Sequence, residues 1–242
     1  VLAAIAMAVY RRLRRRSDEL RALAALYRWT FAPDSPDLVR RWRGTPFGSG
    51  SAWRATEVFT GSHRGHHFAA FTYSFLLSAA AKPQVFTVYA LSTGHRVPTV
   101  EFTPAGSDPP PAQMGGQTVE FASADFNRAW TVTAGNRSVA HGIVGPGLVA
   151  WLMRADHAIP LRFEGSDIVT WRAGRLRPAT IMPMLDALVE VARLVPHYVR
   201  EALTATEVRP PHREAVRRAS QRPILPDGSN GAAAGGIPRS SA

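Results

Sequence analysis

The chain has 242 residues, 45% of them hydrophobic, enough for one domain with its own core plus tails. It has no cysteine, which excludes disulfides, thiolate catalysis and cysteine–zinc sites. The formal net charge is +11, and Lys82 is the only lysine behind it. An arginine excess of that kind follows from GC-rich coding, so basicity alone does not imply nucleic acid.

Residues 1–10 are almost wholly apolar, and Arg11, Arg12, Arg14, Arg15 and Arg16 follow at once. A spanning helix needs about 20 apolar residues, and a secretory signal carries its positive charge before the apolar run rather than after it. The stretch 1–16 therefore reads as the end of a transmembrane helix with a basic cytoplasmic flank, which places the rest of the chain in the cytoplasm. The same arginines are positioned to meet anionic lipid headgroups. Leu20, Leu23, Tyr27 and Thr30 continue at helical spacing until Pro33 and Pro36, so 17–50 reads as a juxtamembrane helix and linker, with a loop over 44–50.

A domain over 51–204 follows. Residues 53–60 and 66–77 alternate around a turn at 61–65, with Phe71, Tyr73, Phe75 and Leu77 on one face. A second hairpin is expected from 85–91 and 97–102, turning on Ser92, Thr93, Gly94 and His95, and a Pro/Gly-rich loop over 104–117 comes next. Strands at 118–121 and 129–133 flank a turn at Asp125, Phe126, Asn127 and Arg128, with Trp130 and Val132 sharing a face. A helical patch broken by Gly145, Pro146 and Gly147 continues as Leu148, Trp151 and Leu152, and a third hairpin is expected from 161–163 and 168–171 across 164–167. The clearest helix is 179–198, where Ile181, Leu185, Leu188, Ala192 and Val195 recur at spacings of four and three. Residues 205–242 have the composition of a disordered tail. The fold class is thus α+β: an antiparallel sheet of about eight strands packed by C-terminal helices and preceded by a membrane-helix remnant.

The run Ala124-Asp125-Phe126-Asn127-Arg128-Ala129-Trp130-Thr131-Val132, with a short helix and a hairpin after it, resembles a bacterial family of uncharacterised membrane-anchored proteins. Val144-Gly145-Pro146 stands where that family has a Leu-Thr-Pro-type helix start. The resemblance implies an architecture and a membrane location, and no activity.

Candidate site residues weigh towards structure. His63, His66 and His67 cluster at a turn without a carboxylate or cysteine beside them, and His66 and His67 point to opposite faces. Asp125, Asn127 and Arg128 suit a turn that bonds its own backbone, and Glu164 and Asp167 suit a hairpin turn better than a pair of catalytic carboxylates. Gly142, Gly145 and Gly147 lack dinucleotide spacing, no Walker sequence occurs, and 48–51 is not a nucleophile elbow. Asn136-Arg137-Ser138 fits a glycosylation sequon by spacing alone. Trp29, Trp42 and Trp53 interleave with Arg28, Arg40, Arg41, Arg43 and Arg54, a pattern that suits a membrane surface or single-stranded nucleic acid.

No catalytic, cofactor or metal residue is assigned. The sequence reads as a non-enzymatic, membrane-anchored cytoplasmic module that binds a protein partner or the anionic membrane surface. The alternatives are a hydrolase-like enzyme assembled from distant residues such as His63, His67, His95 and Asp125, and a basic nucleic-acid-binding domain, the least favoured of the three.

Overall fold

The computed structural model describes residues 2–107 and 116–196. The tail over 205–242, residues 197–198 of the helix expected over 179–198 and most of the loop at 104–117 lie outside the described residues; the helix itself stops at Leu194, ahead of Pro196, and not at 198. Helix α1 (Leu2–Leu26) runs unbroken through the arginine run, because arginine is a good helix former. Met7, Tyr10, Arg11, Arg14, Arg15 and Arg16 are exposed, and the helix meets the domain core through Leu20 and Ala24, four residues apart on one face. Its end is closed by Arg28 in the left-handed region (φ 56°) and by the Trp29 amide donating to the Ala24 carbonyl at 2.8 Å. Among the described residues no helix, α1 included, is long and apolar enough to cross a membrane, so the structure does not support the membrane-helix remnant expected over 1–16.

Seven strands follow: β1 (Thr30–Asp34), β2 (Ser51–His63), β3 (His66–Leu76), β4 (Gln84–Pro104), β5 (Gln117–Thr118), β6 (Trp130–Ala134) and β7 (Leu161–Ala173). They form one antiparallel sheet in the order β1-β2-β3-β4-β6-β5, with β7 on the other edge of β4. Helices α2 (Ala124–Ala129), α3 (Arg137–Ile143), α4 (Pro146–Leu152) and α5 (Ile181–Leu194) complete an α+β fold. Phe59, Phe102, Phe163, Leu148 and Leu185 share one buried cluster, in which the helices cover the sheet. The second cluster holds Phe71, Tyr73 and Trp171 together with Leu38, Trp42 and Phe47 from the segment 36–50.

The β2–β3 hairpin forms as expected but is longer. Both strands run to a two-residue turn, Arg64-Gly65, with φ of 49° and 86°, the both-positive geometry that matches strand twist. Phe71, Tyr73 and Phe75 are buried on one face, whereas Leu77 lies past the strand end and is 61% exposed. Trp130 and Val132 are both buried on β6.

The two other expected hairpins do not form. Residues 85–91 and 97–102 are halves of the single strand β4, and 161–163 and 168–171 are halves of β7. The two long strands pair with each other, from Phe86↔Ala173 to Ser92↔Asp167 and again from Val97↔Gly165 to Phe102↔Leu161, with a register shift between. Gly94 (φ 78°) and Gly165 (φ 62°) occupy the left-handed region at that irregularity. A glycine among Ser, Thr and Asp serves a tight turn and a β-bulge equally well, so only the partner strand decides which one forms.

The turn expected at 125–128 is helix α2. The Ser123 hydroxyl caps it, accepting from the Phe126 amide at 3.2 Å. The strand expected over 118–121 shrinks to the two residues of β5 because the Asn127 side chain takes over from the ladder. Its amide donates to the Phe121 carbonyl at 2.7 Å and its oxygen accepts from the Phe121 amide at 3.0 Å.

Candidate functional site

The densest polar arrangement lies where β7 meets the segment 41–45. Arg162 is 0% exposed, a position its place in the apolar run Leu161-Arg162-Phe163 would give to another hydrophobe. Its Nη2 lies 3.0 Å from Glu101 Oε2 on the paired residue of β4, and its Nη2 also donates to the Thr45 carbonyl at 2.7 Å. Nη1 donates to the Arg43 carbonyl, and the guanidinium lies over the Trp171 ring, 4.8 Å from its centroid. Buried charge survives only with such complete pairing.

Two further acids of β7 grip the same segment. Asp167 accepts from Arg41 Nε and Nη2 at 2.9 and 3.0 Å and from Trp42 Nε1 at 3.1 Å. Glu164 accepts from the Arg43 amide at 3.1 Å, and burial pushes its carboxyl above the ordinary range against the opposing pull of Arg162. Glu164 and Asp167 therefore hold a loop. With both oxygens of Asp167 taken by N–H donors, the pair is not free to act as general acid and base.

Beside this clamp a cavity of about 410 Å³ opens over the sheet, floored by Ala69 and Ala90 and edged by Leu38, Arg41, His67 and Ser92. Small residues in register across β3 and β4 leave the space. Its lining can hydrogen-bond a small polar group, through His67 and Ser92 above all.

The histidines do not converge. His63 is buried and its Nε2 lies 2.8 Å from Asp186 of α5, which also takes Arg64 at 2.8 Å. His66 Nδ1 meets the Ser92 carbonyl at 2.9 Å, and His67 Nδ1 lies 3.3 Å from the Ser62 hydroxyl. Among the described residues no group of three or more His, Asp or Glu side chains is placed to hold a metal ion. Asp125 is exposed and pairs with Arg128 at 2.8 Å, while Phe126 is fully buried.

The fold has a counterpart among solved structures. The chain is similar in fold to the crystal structure of the mycobacterial trehalose monomycolate transport factor A, TtfA, with a TM-score of 0.53. The alignment covers 74% of this chain and 90% of TtfA at 17% identity, so the likeness is one of fold. No family model and no curated protein match the chain, so the family suggested by the motif at 124–132 is not confirmed.

The fold takes two of the three tryptophans of the tryptophan–arginine pattern indoors and leaves Arg28, Arg40, Arg41, Arg43 and Arg54 exposed. Trp42 is 2% exposed and stacked on Phe71, and Trp29 packs edge-on against Phe68. Trp53 is half-buried, donates to the Ser49 carbonyl at 2.7 Å and carries Arg40 over its ring. The residues the sequence reading missed are Glu101 and Arg162. One signal was present: a charge at an inward-facing position of each strand, flanked on both sides by apolar residues.

Proposed function

We propose that this protein is a non-enzymatic module that works at the cell membrane with its domain facing the cytoplasm, and that it acts there by binding a protein partner. In this reading 1–16 meets the membrane, the rest of α1 leads into an α+β domain whose sheet already includes β1 (Thr30–Asp34), and 205–242 is an appended tail. The observation that carries it is α1, a 25-residue helix whose apolar first ten residues are followed by Arg11, Arg12, Arg14, Arg15 and Arg16. Met7, Tyr10, Arg11, Arg14 and Arg15 are exposed, so this end is available to anionic headgroups and an apolar phase. Asp167 is engaged in holding the segment 41–45, and His63, His67 and Asp125 are spread over separate partners, which favours binding over catalysis. The fold shared with TtfA, named for trehalose monomycolate transport, further favours an accessory role in transport.

Fractionation of cells expressing the full reading frame with a C-terminal tag tests the reading. The protein is expected in the membrane pellet at low ionic strength, with the tag protected from protease in intact spheroplasts. Recovery in the soluble fraction overturns it.

A further inference from the structure

We propose that Arg172 at the end of β7, with Arg175 and Arg177 on the turn that follows it, forms a second contact for anionic lipid headgroups beside the arginine run of α1, to which Glu57 ties Arg175. The proposal rests on the membrane reading above and adds a defined surface on the body of the domain.

Glu57 sits at an irregularity of β2, where the register with β3 shifts between Thr56 and Phe59, and its φ of 52° is one that non-glycine residues seldom adopt. That backbone turns its carboxylate to the side where three elements meet. Oε1 takes Arg16 Nε of α1 at 2.6 Å and lies 3.9 Å from Arg175 Nη1. Oε2 accepts from the Thr72 hydroxyl at 3.1 Å, and Thr72 Oγ1 in turn accepts from the Leu176 amide at 3.1 Å. One mostly buried side chain thus ties residue 16 of α1 to residues 175–176 of the turn.

The charge balance at this junction is positive. A single carboxylate serves two guanidiniums whose side chains keep 48% (Arg16) and 67% (Arg175) of their exposure. Arg172 is exposed at the end of β7 and Arg177 on the turn, and Arg11, Arg14 and Arg15 are exposed on the helix. The acids nearby on α1 are Asp18, which pairs with Arg21 at 2.9 Å, and Glu19. Basic groups on two separate elements, fixed relative to each other, suit an extended anionic plane better than a small ligand, and a bilayer supplies that plane. Two contacts would fix how the domain faces the membrane, where α1 alone would leave it free to swing.

The test is co-sedimentation of the full-length protein at low salt with mixed phosphatidylcholine–phosphatidylglycerol vesicles and with pure phosphatidylcholine vesicles. Each arginine near an anionic surface contributes about fivefold in affinity, so R172Q/R175Q/R177Q is expected to weaken binding to the mixed vesicles by about tenfold or more. R128Q/R137Q/R154Q, which removes the same charge from exposed positions on α2, on α3 and just after α4, is expected to change it about twofold or less. Equal loss in the two triple variants overturns the second contact and leaves the membrane reading standing. Failure of the unaltered protein to bind mixed vesicles overturns the membrane reading itself. Glu57→Gln gives an independent readout, because it makes the protein more basic yet is expected to weaken binding by releasing the turn from α1. Tighter binding by this variant overturns the role of Glu57. Single-stranded RNA that binds more tightly than the mixed vesicles, and loses affinity in the same triple variant, assigns the surface to nucleic acid and overturns the lipid proposal.

Discussion

Glu101 and Arg162 stand directly opposite each other on β4 and β7, joined at 3.0 Å with 3% and 0% of their side chains exposed. The pair sits where β7 fastens the segment 41–45, so it links sheet and loop at once. Arg162→Met removes the cation and leaves Glu101 as an uncompensated buried charge, with the Arg43 and Thr45 carbonyls deprived of their donor. A loss of about 3–5 kcal/mol in unfolding free energy is expected from urea denaturation. Arg162→Met combined with Glu101→Leu should cost less than Arg162→Met alone, since no charge is then stranded. A double variant less stable than the single one would contradict this account.

Glu164 gives stability a pH dependence of definite sign. Its exposed carboxyl titrates near 4.5, and burial raises that value in the folded protein. Between the two values the native state holds more protons than the unfolded state, so this group's contribution falls as pH rises through the window. Glu164→Gln keeps an acceptor for the Arg43 amide and has no charge to desolvate. It is expected to be more stable than the unaltered protein near neutral pH, with the advantage shrinking as pH falls below the exposed value. Paired urea titrations at the two pH values check it, and a pH-independent difference would refute the assignment.

Within the motif at 124–132, Asn127 and Asp125 separate cleanly. Asn127→Asp keeps the acceptor for the Phe121 amide but sets a carboxylate against the Phe121 carbonyl, a contact of 2.7 Å that now lacks a donor. It should destabilise by about 1–3 kcal/mol. Asp125→Asn loses only an exposed pair with Arg128 and should change stability by less than about 0.5 kcal/mol. Thermal melts of the two variants side by side decide it.

At Gly165 an added Cβ meets nothing within 4 Å, so the cost of a side chain there is the left-handed backbone alone. Gly165→Ala is expected to lose about 1–2 kcal/mol, and Gly165→Asn less, since asparagine tolerates that conformation. Equal losses in the two variants would point to packing in place of backbone strain.

Periodicity determined a good deal on its own. The β2–β3 hairpin, the inward face of Trp130 and Val132, the short helix with Leu148, Trp151 and Leu152 and the helix α5 were all legible, because each is set by residues within a turn or two of one another. The histidines at the hairpin tip and the acids at 164 and 167 weighed towards structure because their types already suit turns and loops.

What the sequence by itself could not decide is whether Ser92–His95 and Glu164–Asp167 reverse the chain or merely bulge it. Both outcomes ask for the same glycine and the same small polar neighbours. The choice lies in pairing β4 with β7 across about 70 residues, which lets Leu91, Val100 and Phe102 share one core with Leu161, Phe163 and Ile168. That pairing alone places Arg162 against Glu101, and the same long-range packing brings Arg16 and Arg175 to Glu57. Local chemistry fixes what a residue tolerates; the partner that makes a buried charge affordable comes only from the tertiary fold.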